Sequence, residues 1–247
     1  MIKEIRPTHL LHFAWNTAHG KYWTSLENFR WVQSGLGLLQ EFYSHGGSRA
    51  VMAGTCAEYD WKYEHCSEQA TPLSPATLYG ICKHSLQAML GSFCKETGLS
   101  SAWGRVFFLY GSHEHPARLV PSVIRSLLQG ETARCSHGEQ IRDFLHVEDA
   151  AAAFVALLES EVAGPVNIAS GRPVALKDVI CKIADKLNRR DLVQLGAIPA
   201  PAYEPPVLTA EVRRLSDEVG WRPKLDLDAG LEQTIAWWKN EICSCRS

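Results

Sequence analysis

The sequence lacks a cysteine framework, a long apolar run and a strong charge of either sign, and each absence removes a class of protein. Its eight cysteines are scattered through 247 residues. None forms a C-x-x-C pair, and the closest two, Cys243 and Cys245, stand beside the C-terminus. Scattered thiols without a framework suit a reducing compartment. Cys245 is third from the end, which does not fit a prenylation box. The longest apolar run, Ala150 to Leu158, is far short of the roughly 20 residues that cross a bilayer. The opening MIKEIRP has no apolar core of a secretory signal. A formal charge of -2 gives no reason to expect nucleic acid or an anionic membrane as partner. Internal repeats and low-complexity tracts are also missing. A cytoplasmic, soluble protein is the expectation, of one large domain or a main domain with a small appendage. At 46% hydrophobic and 21% charged residues, it can bury a sizeable core.

The first half alternates between two patterns. HLLHFAW (9–15), RAVMAGT (49–55) and SAWGRVFFLYG (101–111) are apolar runs that read as buried strands. Between them lie an amphipathic helix over 24–43 and a second over 78–97, which Gly98 can cap. Strand–helix alternation indicates a parallel α/β sheet. The polar, proline-bearing stretch 60–75 reads as a loop. In the second half, helices are expected near 119–129, after a strand-like piece at 141–146, over 175–189 and at the closing LDAGLEQTIAWWKN. PVNIAS (165–170) reads as a short strand, APAYEPPV (200–207) as a proline-rich connection, and Thr209 as a helix N-cap.

One pair of residues suggests chemistry. In TLYGICKH (77–84), Tyr79 stands four residues before Lys83, so the two share a helix face. The bland reading is a half-buried helix with a snorkelling lysine. The other reading is catalytic. A free phenol has a pKa near roughly 10, too high for proton exchange at neutral pH, and a neighbouring ammonium lowers it. Thr55 ends the strand 49–55, at the carboxyl edge where open parallel sheets place ligands. A threonine hydroxyl, a tyrosine and a lysine together can hold a substrate oxygen and move its proton. Two weaker signals carry less. His113 and His115 flank Glu114 without a third ligand, and read as a solvated loop rather than a metal site. Cys82, beside the pair, reads as a packed thiol.

The ordered set of motifs resembles the extended short-chain dehydrogenase/reductase family of NAD-dependent, sugar-nucleotide-modifying epimerases, reductases and dehydratases. HFA (12–14) resembles its H-x-A strand, and Asn28 sits at the asparagine of the next helix. GTCAEY (54–59) resembles the Ser/Thr-bearing strand end, and SPATLYGICK (74–83) the P-x-x-x-Y-G-x-S-K helix start. RVFFLYG (105–111) resembles R-x-x-N-x-Y-G, and IRDFLHVEDAAAA (141–153) resembles RDF-x-HV-x-D-x-A. NIASG (167–171) and LSDEVGWRPKLDLDAGLEQTIAWW (215–238) resemble the closing pieces. The resemblance implies an α/β fold: a partial Rossmann-like parallel sheet with helices on both faces, plus a small C-terminal α/β substrate domain. Residues 1–112 would belong to the dinucleotide-binding part and 113–247 mainly to the substrate region, with about 141–160 returning to the first part. It implies Thr55, Tyr79 and Lys83 as catalytic residues. Phe13, Ala14, Asn28, Tyr79 and Lys83 would meet NAD or NADP. Thr55, Phe108 and Arg142 would meet a nucleotide-diphosphate sugar, Arg142 through the diphosphate. A structural ion pair of Arg142 with Asp143 is the competing reading. A homodimer through the helices at 24–43 and 78–97 is also implied, because both carry more apolar surface than one core face needs.

The departures from that family are informative. Cys56 and Ala57 replace the Asp-Glu pair of the 4,6-dehydratases, and neither can do carboxylate chemistry. Glu58, one residue later, is expected to point to the opposite face of the strand. This favours a 4-epimerase or 4-ketoreductase over a dehydratase. Phe108 replaces an asparagine, and GAIPAPA (196–202) lacks an arginine found near the diphosphate in the family. A strand, a G-x-x-G-x-x-G turn and a helix N-terminus normally hold the pyrophosphate. GGS (46–48) and GSHEHP (111–116) cannot serve, and Met1 stands only eight residues before His9. The expectation is a chain that starts late, lacks the first three strands of its sheet, exposes a strand edge and binds NAD(P) weakly. A catalytically inactive fragment or a non-catalytic binding module of the same fold is the alternative.

Overall fold

The apolar runs and amphipathic helices of this chain assemble around two parallel sheets in a computed structural model, which describes residues 2–200 and 204–244. Pro201, Ala202 and Tyr203 of the 200–207 connection and Cys245 lie outside the described residues. In chain order the elements begin with α1 (Ile2–Ile5), β1 (His9–His12), α2 (Glu27–Ser44) and β2 (Arg49–Thr55). A 3-10 turn (Cys56–Glu58), β3 (His65–Cys66), α3 (Leu78–Thr97), β4 (Ser100–Val106) and β5 (Phe108–Tyr110) follow. The remainder comprises α4 (Leu119–Gln129), β6 (Ala133–Arg134), β7 (Ile141–His146), α5 (Val147–Glu159), β8 (Gly164–Ile168) and β9 (Pro173–Ala175). Then come α6 (Leu176–Leu187), β10 (Val193–Gln194), β11 (Val207–Ala210) and α7 (Leu227–Ser244).

The first sheet has the order β1-β2-β4-β8 and is parallel throughout. Six of the seven residues of β2 are buried, as expected for a strand covered on both faces. On one face, Leu39 and Phe42 of α2 and Leu86 and Leu90 of α3 pack over Met52 and Trp103. On the other, Phe154 and Leu157 of α5 pack over Val51, Ala102 and Val166. Each such side chain contributes about 2 kcal/mol of burial. Among the described residues, β1 has a strand on one side only, so one of its edges is open. The second sheet runs β3-β11-β7-β5, with β9 antiparallel to β7. A core of α4, α6 and α7 residues, including Ile124, Ile183 and Leu231, lies beside it.

Caps explain the best-defined helix. The Thr77 side chain accepts from the Gly80 backbone N–H at the start of α3, and Gly98 closes the helix with φ 74°. Four expectations change. The single strand expected over 101–111 divides at Phe107, because β4 pairs with β8 while β5 pairs with β7 in the other sheet. The strand expected over 9–15 ends at His12. Beyond about 141–160, β8 also joins the first sheet. Thr209 is no helix cap: it lies in β11, paired with His65, and its hydroxyl donates to the Glu64 carbonyl.

Candidate active site

Strand β2 delivers Thr55 to the carboxyl edge of the first sheet, and the chain turns sharply there. Thr55 is extended (φ -153°, ψ 149°) and caps the 3-10 turn: its hydroxyl accepts from the Ala57 N–H at 3.2 Å. The turn swings Glu58 back into the protein. Glu58 therefore does not sit in a strand facing away, as its spacing suggested. It is fully buried. One carboxylate oxygen accepts from the Thr55 N–H (2.9 Å) and the Trp103 indole (2.9 Å), and the other from Arg105 Nε (2.8 Å). Arg105 also donates to the Tyr59 hydroxyl, which donates to Asn167. This buried ion pair has every charge hydrogen-bonded, the condition under which burial is tolerable. Gly54 makes room for it, since a Cβ there would lie 2.0 Å from the Trp103 indole nitrogen and 2.6 Å from Glu58.

The first two turns of α3 bring Tyr79 and Lys83 against that strand end. Gly80 allows the approach, because a Cβ there would stand 2.4 Å from the Ala57 carbonyl. The Thr55 side chain lies close enough to the Tyr79 phenol to favour its ionised form. The Lys83 ammonium donates to the Ala53 carbonyl at 2.7 Å and lies 3.9 Å from the centre of the Trp15 ring. The structure thus gathers Thr55, Tyr79 and Lys83 at one point.

The site is dry. Tyr79 is 8% exposed and Lys83 3%. Burial pushes the Tyr79 phenol above its ordinary value, and the Thr55 side chain opposes this only in part. Burial pushes the Lys83 amine down to about 7, against the pull of the Glu58 charge. The expected lowering of the phenol by the lysine is therefore not found. Desolvation outweighs it, and the ammonium is turned toward Ala53 and Trp15. Burial likewise raises the Cys82 thiol, in keeping with a packed rather than a reactive cysteine.

Aromatic side chains close over the phenol. The rings of Tyr22, Trp23 and Trp15 lie 4.9, 5.7 and 6.2 Å from that of Tyr79, all edge-on. The Tyr79 N–H donates to the Trp23 carbonyl. Asn28, expected at the cofactor, is buried and holds this segment. Its carbonyl oxygen accepts from the Trp15 indole, and its amide nitrogen donates to the carbonyls of Tyr22 and Ser25, each at 2.8 Å. Sequence reasoning missed Trp15, Tyr22 and Trp23. The crowding of aromatics between 13 and 23 was the available signal.

Arg142 lies in β7 and is 2% exposed. It does not pair with Asp143, whose carboxylate accepts from Ser170 and Gly171. It donates instead to Glu204 at 3.2 Å, and its guanidinium sits 5.3 Å from the Phe108 ring centre. Two of the expected substrate residues are thus in contact. A groove of about 400 Å³ opens beside the turn that follows β2. Its walls include Ala57, Trp61, Thr77 and Glu204, the partner of Arg142. Glu204 and Trp61 were not foreseen.

For a dinucleotide, the residues present fit one end. Phe13 is half exposed and Ala14 exposed, just past the end of β1, and the Phe13 ring packs edge-on against Phe154 of α5 at 4.7 Å. Among the described residues, no strand leads through a G-x-x-G-x-x-G turn into a helix, so the pyrophosphate has no such cradle there.

Comparison with known proteins agrees with this architecture. The chain is 26% identical over 204 residues to UDP-glucuronic acid decarboxylase 1 of Danio rerio, an alignment covering 79% of this chain and 48% of that protein. The chain therefore spans about half the length of that relative. The fold matches UDP-glucose 4-epimerase of Thermotoga maritima, solved with UDP-glucose, at a TM-score of 0.85 and 21% identity, covering 98% of this chain and 81% of the other. It also matches UDP-glucose 4-epimerase of Thermus thermophilus, solved with NAD, at a TM-score of 0.79 and 23% identity, covering 96% and 79%. A model of one family matches residues 1–169, and the chain belongs to that family, the NAD dependent epimerase/dehydratase family.

Proposed function

We propose that this protein oxidises or reduces a hydroxyl or keto carbon of a nucleotide-diphosphate sugar with NAD, as a 4-epimerase or 4-ketoreductase. The observation that carries this reading is the meeting of the Thr55 hydroxyl with the Tyr79 phenol, with the Lys83 ammonium one turn along in the same dry pocket. NAD, when bound, supplies the hydride acceptor or donor; Phe13, Ala14, Tyr79 and Lys83 would hold its nicotinamide end. Thr55 holds the substrate oxygen by hydrogen bonding. Tyr79 takes the proton from that oxygen in oxidation and returns it in reduction. A phenolate in a desolvated site needs a compensating cation, and Lys83 is that cation.

The Arg142 side of the site binds rather than reacts. Arg142 offers a planar fork of donors suited to a diphosphate, and Phe108 stacks beneath it. The catalytic turn carries Cys56 and Ala57 rather than carboxylates, and Glu58 is engaged with Arg105, which supports epimerase or reductase chemistry over water elimination. The region around β11, α4, α6 and α7 is assigned to the substrate, with Arg142 of β7 facing it. A homodimer through α2 and α3 accounts for the exposed Phe29, Ile81 and Met89 on those helices. No helix among the described residues is long and apolar enough to cross a membrane.

A second reading has one observation behind it. The described residues offer no glycine-rich turn for the pyrophosphate, so this chain by itself binds NAD weakly, and a catalytically silent sugar-nucleotide binder of the same fold would look alike. Calorimetric titration with UDP, UDP-glucose and NAD separates the two, followed by product analysis with each 4-keto and 4-hydroxy sugar nucleotide. Turnover without net NADH change indicates an epimerase, and stoichiometric NADH consumption a reductase. Binding of UDP-glucose with no turnover at saturating NAD would favour the silent binder, and no UDP binding would overturn the substrate class.

A further inference from the structure

Lys83 has an unusual neighbour. Its ammonium sits 3.9 Å from the centre of the Trp15 indole and 2.7 Å from the Ala53 carbonyl oxygen. A second ring, Trp103, lies 6.0 Å away. No salt bridge to a carboxylate is formed. The charged groups facing it are Glu58 from the turn after β2, which attracts the ammonium, and His12 at the end of β1, held below its usual value by burial first and by Lys83 second. Tyr79 stands one turn before it on α3. Glu58 is already engaged with Arg105, Trp103 and the Thr55 N–H. After the Ala53 carbonyl, the face of Trp15 is therefore the nearest surface that favours the charged amine.

The indole is held there rather than merely packed. Its N–H donates to Asn28, a 2%-exposed amide fixed by two backbone carbonyls. Its plane also stacks near Trp31 at 6.4 Å. A ring whose orientation is set by a buried hydrogen bond presents a constant negative face, and a desolvated cation gains most from it.

We propose that Trp15 is a positioning residue for Lys83: it clamps the ammonium between its indole face and the Ala53 carbonyl, and so keeps the lysine charged in a pocket that would otherwise neutralise it. The consequence for the reaction rests on the catalytic role of Lys83 given above, but the clamp itself does not. Without the charged lysine, the Tyr79 phenolate loses its nearest cation. The clamp also orders the segment 13–23 over the site, because the same Asn28 side chain ties Trp15 to the Tyr22 carbonyl.

The test reads Lys83 directly in the full chain, without substrate or cofactor. The lysine side-chain carbons are labelled with ¹³C and followed by NMR against pH, with the Lys83 signal assigned by its loss in Lys83→Met. The wild-type midpoint is expected near 7. Trp15→Leu, which keeps the site apolar but removes the π-face, lowers the midpoint by about one pH unit, a tenfold fall in the ratio of charged to neutral amine. Trp15→Phe, which keeps a ring, restores most of it. A purely structural Trp15 would do the opposite, since its removal admits water and raises the midpoint. A rise, or no change, in Trp15→Leu overturns the proposal. Should that variant not fold, full incorporation of fluorotryptophan keeps the shape and thins the ring electron density. It must then lower the midpoint more in wild type than in Trp15→Phe, and equal shifts overturn the proposal. Because no turnover is measured, an inactive protein with a normal clamp would contradict the enzyme reading alone.

Discussion

Lys83 and Arg142 are both buried cations, 3% and 2% exposed, yet they are buried in opposite ways. Lys83 sits against a backbone carbonyl and an aromatic face, and its amine is pushed down to about 7. Arg142 faces Glu204, a carboxylate 45% exposed in the groove wall. The difference follows from the two side chains. A guanidinium stays charged when desolvated, whereas an amine changes its protonation readily. A lysine therefore serves where charge is to be adjusted near a reacting proton. An arginine serves where a permanent charge is to be offered to an anion. In the proposed function the exposed carboxylate on Arg142 gives way to a diphosphate, whereas Lys83 is covered by the aromatic segment.

A third cation, Arg105, provides the strongest way to break this comparison. It is 1% exposed and paired with fully buried Glu58. Glu58→Ala leaves that guanidinium without its counter-charge and frees the Thr55 N–H. The expected loss is about 4 kcal/mol of stability, measured by urea unfolding. A loss under about 1 kcal/mol would mean that the pair does not hold the turn.

Next in size is Arg142→Ala. A contact remote from the reacting carbon contributes mainly uniform binding. UDP affinity is expected to fall roughly 30-fold, with the KM for a sugar nucleotide rising more than kcat falls. Unchanged UDP affinity with reduced kcat would place Arg142 in the chemistry instead.

Lys83 predicts a pH effect with a definite sign. Its folded value lies near 7, below the ordinary 10.5. Between those values the unfolded chain holds a proton that the folded chain does not, so this residue makes stability rise with pH across that window and fall as pH drops toward 7. The slope is up to about 1.4 kcal/mol per pH unit, and it vanishes in Lys83→Met. Unfolding curves for both proteins between neutral and alkaline pH would show it, and parallel curves would contradict it.

The smallest expected effect is at Glu204. Glu204→Gln removes a half-exposed competitor for Arg142, and UDP affinity should rise about threefold, in line with the modest worth of such pairs. A fall in affinity would mean that Glu204 contacts the ligand itself.

Much of this was legible in the residues, for reasons that also mark the limits. The bounds of β2 and α3 follow from a seven-residue apolar run and from Thr77 and Gly98, which have local physical effects. The gathering of Thr55, Tyr79 and Lys83 could be read because Thr55 ends a strand and Tyr79 and Lys83 share a helix face. What failed depended on tertiary partners. Phe107 looks like the middle of one strand, but the chain changes sheets there. Thr209 looks like a cap but pairs with β3. Glu58 was placed by strand alternation, and the turn begun at Thr55 cancels that alternation. Arg142 was weighed against its neighbour Asp143, while its partner lies 62 positions away at Glu204. The aromatic cover of Tyr79 comes from a segment without regular structure, where no periodicity signals contact.

The central claim is that Tyr79 moves the proton of the substrate oxygen. The most direct test compares wild type with Tyr79→Phe for single-turnover conversion of a 4-hydroxy or 4-keto sugar nucleotide at saturating NAD or NADH, with UDP affinity measured alongside. Loss of about a thousandfold in rate, with UDP affinity and unfolding midpoint unchanged, is the predicted result. Near-normal turnover in the variant would contradict the account.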